Sequence, residues 1–412
     1  MNDPKLYRPV ASLIVLTGLN LLDYLDRQLL AAVLTPIKNE LALTDEQLGT
    51  LQSAFMWGYF LTSPIFGHLG DRVPRRWLVA AGVLVWSLGT LMTGHVSALA
   101  ALIFFRVLVG LGEASFGTLS PGWIADLFPG ARRNTAISIF YLAIPVGSAL
   151  GYIIGSALAA RYGWRAACLW AGYPGLLLAF VLFLLREPPR ERAPQAAVEE
   201  PAPGAWSAYA ALVRHPGYVL VVAGYIAQTF AMGGFALWAP TFLHRVHGFD
   251  YESAGRFFGL SLVLTGIAAT LGGGLVATAW QRRSPAGYSS MLALSASVAV
   301  PVAFAAFLLE DPFMARVALV GAMFFLFVPT GPVNTLILET VPPHLRARAM
   351  AGSIFAIHAL GDLWSPWIVG RLSDHWGSLR PAVLILPFAL GGSAAFWIWL
   401  MVRQRRAARA AK

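Results

Sequence analysis

Two related segments indicate the fold of this 412-residue chain: DLFPGARRNTAISIFYLAIPVGSALG (126–151) and TVPPHLRARAMAGSIFAIHALGDLWS (340–365). They share a proline, an arginine and a glycine at an offset of 214 residues: Pro129 and Pro343, Arg132 and Arg346, Gly147 and Gly361. The tripeptide Ser-Ile-Phe also recurs, at 138–140 and 353–355, with an offset of 215. A repeat spaced by about half of the chain predicts two structurally related halves.

Long apolar runs surround and separate these segments. Hydrophobic residues make up 57% of the chain and charged residues 12%, whereas soluble domains have about 25% charged residues. A bilayer core of about 30 Å is crossed by roughly 20 apolar residues of helix. The sequence therefore predicts an all-α membrane protein with twelve transmembrane helices in two pseudo-symmetric six-helix halves. The predicted spans are residues 10–34, 48–69, 77–95, 98–119, 134–160, 164–185, 217–243, 254–280, 287–308, 313–338, 347–372 and 381–402.

A polar stretch divides the twelve spans into two sets of six. It includes REPPRERAP (186–194) and AAVEEPAPG (196–204), and a Pro-rich composition with mixed charge is typical of a flexible linker. We therefore predict an N-terminal half at 1–185, a cytoplasmic linker at 186–216 and a C-terminal half at 217–412.

The distribution of Lys and Arg orients the predicted bundle. With the N-terminus inside, 20 of the 30 basic residues fall in cytoplasmic segments and 8 in outer segments. Cytoplasmic loops are enriched in Lys and Arg, so we expect both termini in the cytoplasm, and the short termini and compact loops favour a bacterial inner membrane. The same distribution accounts for the net charge of +10. We expect no nucleic-acid partner, because the sequence has no basic groove with interleaved aromatic residues.

Five ionisable residues lie inside predicted spans: Asp23, Asp26 and Arg27 in span 1, and Arg106 and Glu113 in span 4. Each such residue costs at least about 2.5–3.5 kcal/mol to insert. A carboxylate beside a basic partner can bind or release a proton as its surroundings change. We therefore predict proton coupling through Asp26, Glu113, Arg27 and Arg106. The alternative is that these residues are structural pairs that hold spans 1 and 4 together.

Spacing on span 4 places its charged residues on one face. Arg106, Gly110 and Glu113 follow i, i+4, i+7 spacing, and Gly110 gives a neighbouring helix room to approach. Because span 1 runs outward and span 4 inward, we expect Arg27 and Arg106 in the outer half of the membrane. Glu113 should then lie about 10 Å deeper.

The second half supplies further candidates for a substrate-binding site. His358 and Asp362 lie one turn apart on span 11, Asn334 lies on span 10, and span 7 carries aromatic and polar residues. A packing role is compatible with each of them, since buried polar side chains are commonly hydrogen-bonded within the core. The predicted substrate-binding residues, with the two buried arginines as headgroup partners, are Arg27, Arg106, Tyr225, Gln228, Trp238, Asn334, His358 and Asp362.

The loop after span 2 reads GHLGDRVPRR (67–76). It resembles the signature G-x-L-x-D-R-x-x-R-R of the major facilitator superfamily, a motif that holds the cytoplasmic side of those proteins closed. The corresponding segment of the second half, GGLVATAWQRR (273–283), has Thr278 in place of the acid, so the gate should be one-sided. The gate residues implied by the resemblance are Gly67, Gly70, Asp71, Arg72, Arg75, Arg76, Asp126 and Arg132.

Three further segments resemble the Spinster branch of that superfamily: DYLDR (23–27), RVLVGLGEAS (106–115) and FYLAIPVGSALGYIIG (140–155). The resemblance covers most of the first half and is weaker in the second. It implies proton-linked movement of lysolipids or sphingoid phosphates, with Asp26, Arg27, Arg106 and Glu113 as the coupling residues. Asp23 departs from the asparagine usual in the branch, which leaves its role open.

These observations together predict a secondary active transporter. We expect it to move an amphiphilic anionic lipid, such as a lysophospholipid or sphingoid phosphate, by alternating access of two related halves. The alternative is a multidrug or organic-anion carrier of the same fold. We expect no enzyme activity, because no His, Asp or Ser constellation clusters at one membrane face. We also expect no cofactor or metal, a proton gradient as the driving force, and a monomer whose partners are a small amphiphilic substrate and the bilayer.

Overall fold

The computed structural model of the protein describes residues 8–128, 131–187, 210–342 and 345–410. These ranges contain helices joined by short turns, and no strand. Fifteen α-helices and one π-helical turn (His358–Asp362) are present in the described ranges. The α-helices are α1 (Pro9–Leu41), α2 (Asp45–Arg72), α3 (Arg75–Thr93), α4 (Leu99–Leu127), α5 (Ala131–Tyr162), α6 (Trp164–Leu184), α7 (Pro216–His247), α8 (Tyr251–Gln281), α9 (Gly287–Leu308), α10 (Pro312–Phe327), α11 (Thr330–Glu339), α12 (Arg346–Ile357), α13 (Ser365–Trp376), α14 (Leu379–Val383) and α15 (Ile385–Ala410).

These helices form the twelve predicted membrane spans, which confirms the all-α fold class. Ten helical stretches of the described chain are long and apolar enough to cross a bilayer. α2, the second predicted span, is also long enough with its 28 residues, but it is not apolar enough to be counted among those ten. The remaining span is divided into α12, the π-helical turn and α13, and neither 12-residue α-helix is long enough alone.

Several helices extend past the boundaries predicted for the spans. α1 continues from the predicted end at 34 to Leu41, and α15 continues from 402 to Ala410. The predicted boundaries counted apolar residues, which mark the hydrocarbon core of the bilayer. Backbone hydrogen bonds continue into the polar interface, so the helices end later than the apolar runs.

Two predicted spans contain breaks that the apolar pattern did not indicate. The tenth span divides at Pro329, between α10 and α11, because proline has no backbone N–H to continue the helical ladder. The eleventh span contains the π-helical turn at His358–Asp362. Such single turns are rare and are frequent at functional sites.

The described residues form two compact units, one within Met1–Ala197 and Phe249–Leu260, the other within Val198–Gly248 and Ser261–Lys412. We call these unit 1 and unit 2. The predicted linker at 186–216 lies for the most part outside the described residues, since 188–209 are not among them.

In unit 1, α1 packs against α5 and α6, and α4 packs against α2 and α3. Glycines permit close approaches between these helices, as at Gly110 and Gly147. A Cβ on Gly110 would lie 2.1 Å from the carbonyl oxygen of Phe55, and one on Gly147 would lie 2.4 Å from that of Leu21. The predicted role of Gly110, which was to admit a neighbouring helix, is confirmed, and the neighbour is α2.

In unit 2, the first span of the half again packs against the fifth and sixth, and the third span packs against the fourth and sixth, as in unit 1. α7 packs against the π-helical turn, α12, α13 and α15, and α9 packs against α10 and α15. A Cβ on Gly361 would lie 3.0 Å from the carbonyl oxygen of Ile226 in α7. Gly147 and Gly361 therefore occupy equivalent positions, each where the fifth span of a half meets the first, which confirms their match in the sequence repeat.

An arginine near the start of α5 and another at the start of α12 make similar hydrogen bonds to a preceding carbonyl group. Arg133 Nε donates to the Ala125 carbonyl at 3.1 Å, and Arg346 Nε donates to the Leu338 carbonyl at 3.1 Å. Both bonds close a separation of eight residues. Arg133 thus makes the same kind of bond as Arg346, whereas the sequence repeat pairs Arg346 with the neighbouring Arg132, and that pairing stays a prediction.

Candidate functional site

A buried ion cluster lies between α1 and α4 in unit 1. Arg27 Nη2 lies 2.8 Å from Glu113 Oε2 and 3.7 Å from Asp23 Oδ2, and Arg27 Nε also donates to Glu113 Oε2 at 3.2 Å. The Glu113 side chain has no exposed surface, and Asp23 is 3% exposed. Two carboxylates therefore converge on a single nitrogen of one guanidinium group.

Aromatic rings enclose the Arg27 side chain. Its guanidinium carbon lies 4.6 Å from the ring centre of Tyr24, 5.0 Å from that of Phe55 and 5.2 Å from that of Tyr59. Such rings attract a cation through their negative faces and exclude water from it. The Arg27 to Glu113 pair is consequently held in a position of low hydration, where electrostatic interactions are strong.

A second pair of ionisable residues lies beside this cluster. Asp26 accepts a hydrogen bond from the hydroxyl group of Thr90 on α3, and it is within electrostatic range of Arg106 and Glu113. Arg106 is 4% exposed and lies 5.0 Å from the ring centre of Phe55. Within the part of the chain that the structure describes, its Nε and Nη2 atoms have no hydrogen-bond partner, so unit 1 contains a buried guanidinium group with two unused donors.

The sequence predicted the members of this cluster, and the structure brings their side chains together. Glu113 was expected about 10 Å deeper in the membrane than Arg27 and Arg106, and that depth stays a prediction. The side chains of Arg27 and Glu113 are long enough to meet at their ends. Arg106 is the residue that lies two turns from Glu113 along α4.

Three predicted substrate-binding residues of unit 2 use their donors within the protein. Gln228 donates to the Leu326 carbonyl at 2.6 Å, and Trp238 donates to the Pro366 carbonyl at 3.0 Å. Asn334 donates to the Thr330 carbonyl of its own helix at 2.9 Å. These bonds satisfy buried polar groups, and the binding role of these residues stays a prediction.

His358 and Asp362 form a pair at the two ends of the π-helical turn. His358 Nδ1 lies 3.0 Å from both carboxylate oxygens of Asp362, and the side chains are 36% and 21% exposed. Tyr225 on α7 lies within electrostatic range of Asp362. The structure thus brings together three predicted residues of unit 2, and their role in substrate binding stays a prediction.

The predicted gate contains a salt-bridged arginine. Arg75 Nη1 lies 2.8 Å from Asp126 Oδ2 and its Nε lies 3.7 Å from Glu187 Oε1, while the Arg76 backbone N–H donates to Glu187 Oε2 at 3.3 Å. A Cβ on Gly70 would lie 2.3 Å from a methyl group of Leu119. Of the remaining predicted gate residues, Gly67 and Arg72 lie in the last turns of α2 and Arg132 lies in the first turn of α5, whereas the side chain of Asp71 lies outside the described residues.

Sequence reasoning missed three kinds of residue at these sites. Thr90 is one of three hydroxyl residues in an apolar helix and gave no signal, whereas Glu187 was hidden within the predicted linker. The aromatic residues around Arg27 follow a readable spacing, because Phe55 and Tyr59 are four residues apart on α2 and share one face. A search for aromatic pairs at that spacing would have found them.

Comparison with known proteins places this site in a family. The model of the Major Facilitator Superfamily matches residues 16–366. The chain therefore belongs to that superfamily of transporters and is an integral multi-pass membrane protein, a transporter rather than an enzyme.

Curated relatives place the chain in the Spinster branch. Protein spinster homolog 1 of Xenopus laevis is 32% identical over 402 residues, which cover 92% of this chain and 76% of that protein. The rat protein of the same name is 35% identical over 427 residues, covering 92% and 79%. The chain is thus a Spinster-type member, as its sequence motifs predicted.

Solved structures agree on the fold. A bacterial homolog of the human lysosomal transporter Spinster, in an inward-facing and unoccupied conformation, aligns with a TM-score of 0.86 at 23% identity, over 97% of this chain and 98% of that one. A D-xylose-proton symporter aligns with a TM-score of 0.70 at 16% identity, over 96% and 97%. At these identities the likeness concerns the fold alone.

Proposed function

We propose that the protein is a proton-coupled secondary active transporter that moves an amphiphilic anionic lipid, such as a lysophospholipid or a sphingoid phosphate, by alternating access. The observation that carries this proposal is the charge balance of the buried cluster in unit 1. Three acids, Asp23, Asp26 and Glu113, lie with two basic residues, Arg27 and Arg106. One negative charge is in excess when all five are ionised.

A proton can neutralise the excess charge. An unpaired carboxylate in an apolar environment is costly, and two carboxylates that share a site do not readily stay ionised together. Asp23 and Glu113 share Arg27 Nη2, and Asp26 accepts a hydrogen bond from the neutral hydroxyl group of Thr90. Proton uptake at Glu113 or Asp26 is the proposed coupling step, because each change in protonation alters the charges that Arg27 and Arg106 face.

An anionic headgroup fits the unsatisfied donors of Arg106. A buried guanidinium group with two unpartnered N–H donors favours a phosphate or carboxylate, which it can bind through parallel hydrogen bonds. A bound anion would compete with Asp26 and Glu113 for the same positive charge. Substrate and proton would then be linked through one arginine, since each changes the electrostatic environment of the other.

The further proposals follow from the family and the charge distribution. We propose a bacterial inner membrane as the location, both termini in the cytoplasm, a monomer in the bilayer, and a proton gradient in place of any bound cofactor. Predicted loops carry the excess of Lys and Arg on the side of the termini, which supports this orientation.

Neutral variants of the two acids test the coupling. Glu113→Gln keeps an oxygen acceptor for Arg27, and Asp26→Asn keeps one for Thr90, so both variants should fold. In liposomes loaded with a pH-sensitive dye, addition of lysophospholipid should produce a proton flux that is at least 10-fold lower in each variant than in the unchanged protein. Undiminished coupled flux in both variants would remove the proposal.

Glu40→Gln is the matched control. Glu40 lies on the same helix as Asp26, but it is 48% exposed and pairs with Arg165 at the end of the helix. Its neutralisation should leave coupled flux within twofold of the unchanged protein. The same liposomes, loaded with a panel of lysophospholipids and of hydrophobic organic ions, separate a lipid transporter from an organic-anion or multidrug carrier.

A further inference from the structure

The last helix of unit 2 extends beyond the membrane as a basic segment. α15 has 26 residues and is about 39 Å long, whereas the hydrocarbon core measures about 30 Å. Its apolar sequence ends at Val402, and the following residues read RQRRAARA. Arg403, Arg405, Arg406 and Arg409 are exposed on this helical extension.

Side-chain bonds hold the extension against the start of α9. Ser289 donates to the Gln404 side chain at 2.6 Å, and Arg405 Nη2 donates to Ser290 Oγ at 3.0 Å. The next residue toward the N-terminus, Tyr288, donates its backbone N–H to the side chain of Gln281 at 2.9 Å. The end of α8 and the end of α15 thus flank the same turn of α9.

This arrangement brings two basic segments to one end of unit 2. Arg282 and Arg283 follow Gln281 directly and both are exposed. Among the described residues of unit 2, Glu339 is the one acid at this end, and it lies within electrostatic range of Arg346. We call the exposed set the arginine surface: Arg282, Arg283, Arg403, Arg405, Arg406 and Arg409.

The equivalent position in unit 1 is built differently. There Glu187, just past the end of α6, contacts Arg75 and Arg76 at the start of α3, and Asp126 pairs with Arg75. In both units, therefore, the end of the sixth membrane span lies against the start of the third span: α6 against α3 in unit 1, and α15 against α9 in unit 2. Acids accompany the arginines in unit 1, whereas hydroxyl and amide groups hold the extension in unit 2 and leave its positive charge in excess.

We propose that the arginine surface binds the headgroups of anionic phospholipids in the leaflet that it adjoins. Arginine binds phosphate through paired hydrogen bonds, and basic clusters next to a transmembrane helix attract anionic lipid. Membrane orientation alone requires basic loops but not an ordered helix that carries four arginines and is bonded to a neighbouring helix. This proposal does not depend on the transported substrate.

Lipid retention tests the proposal directly. The full-length protein is exchanged into micelles that contain equal amounts of phosphatidylglycerol and phosphatidylcholine, and the retained lipids are counted by native mass spectrometry. The test variant is Arg403→Gln/Arg406→Gln/Arg409→Gln, which leaves the bond between Arg405 and Ser290 intact. The control variant carries three neutralised exposed arginines from the opposite membrane side, Arg161→Gln/Arg256→Gln/Arg371→Gln.

The expected result is at least a fivefold loss of retained phosphatidylglycerol in the test variant and no loss in the control. Raising NaCl from 0.1 to 0.5 M should reduce retention by the unchanged protein, because salt screens charge attraction. Lipid bound at Arg106 remains in all three proteins, so it does not affect the comparison. Equal retention by the test variant and the unchanged protein would overturn the proposal.

Discussion

Arg106 is the residue on which the proposed substrate site depends. It is almost wholly buried, it lies over the ring of Phe55, and two of its nitrogen atoms have no partner. A buried donor without a partner is costly, so a transporter gains nothing from such a residue unless a ligand completes its bonds. Arg27 differs, because Glu113 and Asp23 already occupy its guanidinium group.

Replacement of Arg106 should therefore weaken binding of an anionic lipid. A hydrogen bond to a charged group contributes about 1.5–3 kcal/mol, so Arg106→Gln should raise the Kd for lysophosphatidic acid by at least about 10-fold in a thermophoresis measurement. Arg161→Gln, an exposed arginine at the end of α5, serves as the control and should leave the Kd unchanged. A Kd for the Arg106 variant within threefold of the unchanged protein would remove Arg106 from the binding site.

The sequence predicted which ionisable residues form the buried cluster, but not which of them contact each other. Ionisable residues in apolar spans stand out in a sequence because each is costly in a bilayer, so Asp26, Arg27, Arg106 and Glu113 were found. Which arginine contacts Glu113 depends on the relative depth of α1 and α4 within a few ångströms. No sequence pattern fixes that depth, and a neutral partner such as Thr90 carries no electrostatic signal.

Helix contacts in unit 1 depend on glycines that face backbone. Gly110 of α4 lies against the Phe55 carbonyl of α2, and Gly58 of α2 lies against the Val107 carbonyl of α4, where added Cβ atoms would approach to 2.1 and 2.2 Å. Backbone cannot yield as a flexible side chain can. These contacts bring α2 and its aromatic residues close to the buried ion cluster, so packing and site geometry are linked.

A methyl group at Gly110 should destabilise the protein. Overpacking of a close interface costs typically about 1–3 kcal/mol, so Gly110→Ala should lower the melting temperature in detergent by several degrees, as measured by intrinsic fluorescence. Gly18→Ala in α1 is the control, because no atom of another described helix lies within 4 Å of the Cβ that it would add. Equal melting temperatures for the two variants would contradict the role assigned to the α2 and α4 contact.

The role of the gate arginine Arg75, the first residue of α3, can be tested by the same measurement. Arg75→Gln leaves Asp126 and Glu187 without their shared cation, and should lower the melting temperature. Asp126→Asn in addition removes one uncompensated charge and should recover part of the loss, because contacting residues show coupling of about 0.5–3 kcal/mol. Strictly additive effects of the two changes would show that the salt bridge between Arg75 and Asp126 makes no net contribution.

The twelve spans and the two related halves could be predicted from the sequence because the bilayer restricts which structures can cross it. A membrane protein must satisfy its backbone within each span, so the apolar runs predicted the helices, and the repeat around Gly147 and Gly361 predicted two related halves. The breaks at Pro329 and at His358–Asp362 were not visible, since hydropathy averages over a span. The extension of α15 past Val402 was missed because apolar runs record the bilayer and not the end of the helix.

Orientation of the whole molecule follows from its Lys and Arg distribution. We predict that green fluorescent protein fused after Lys412 will fluoresce and that alkaline phosphatase fused at the same position will be inactive, because both report a cytoplasmic C-terminus. Phosphatase fused within the turn at 248–250, after α7, should be active. Active phosphatase at Lys412 would reverse the proposed orientation.

Substrate-dependent proton flux in reconstituted vesicles shows whether proton movement and lipid movement are obligatorily linked. Purified protein in vesicles with an internal pH dye receives lysophospholipid while labelled lipid transport is followed in parallel. We expect a proton flux that begins with lipid addition, keeps a constant ratio to lipid transport and is absent from protein-free vesicles. Lipid transport that proceeds at an undiminished rate without any accompanying proton flux would contradict that link.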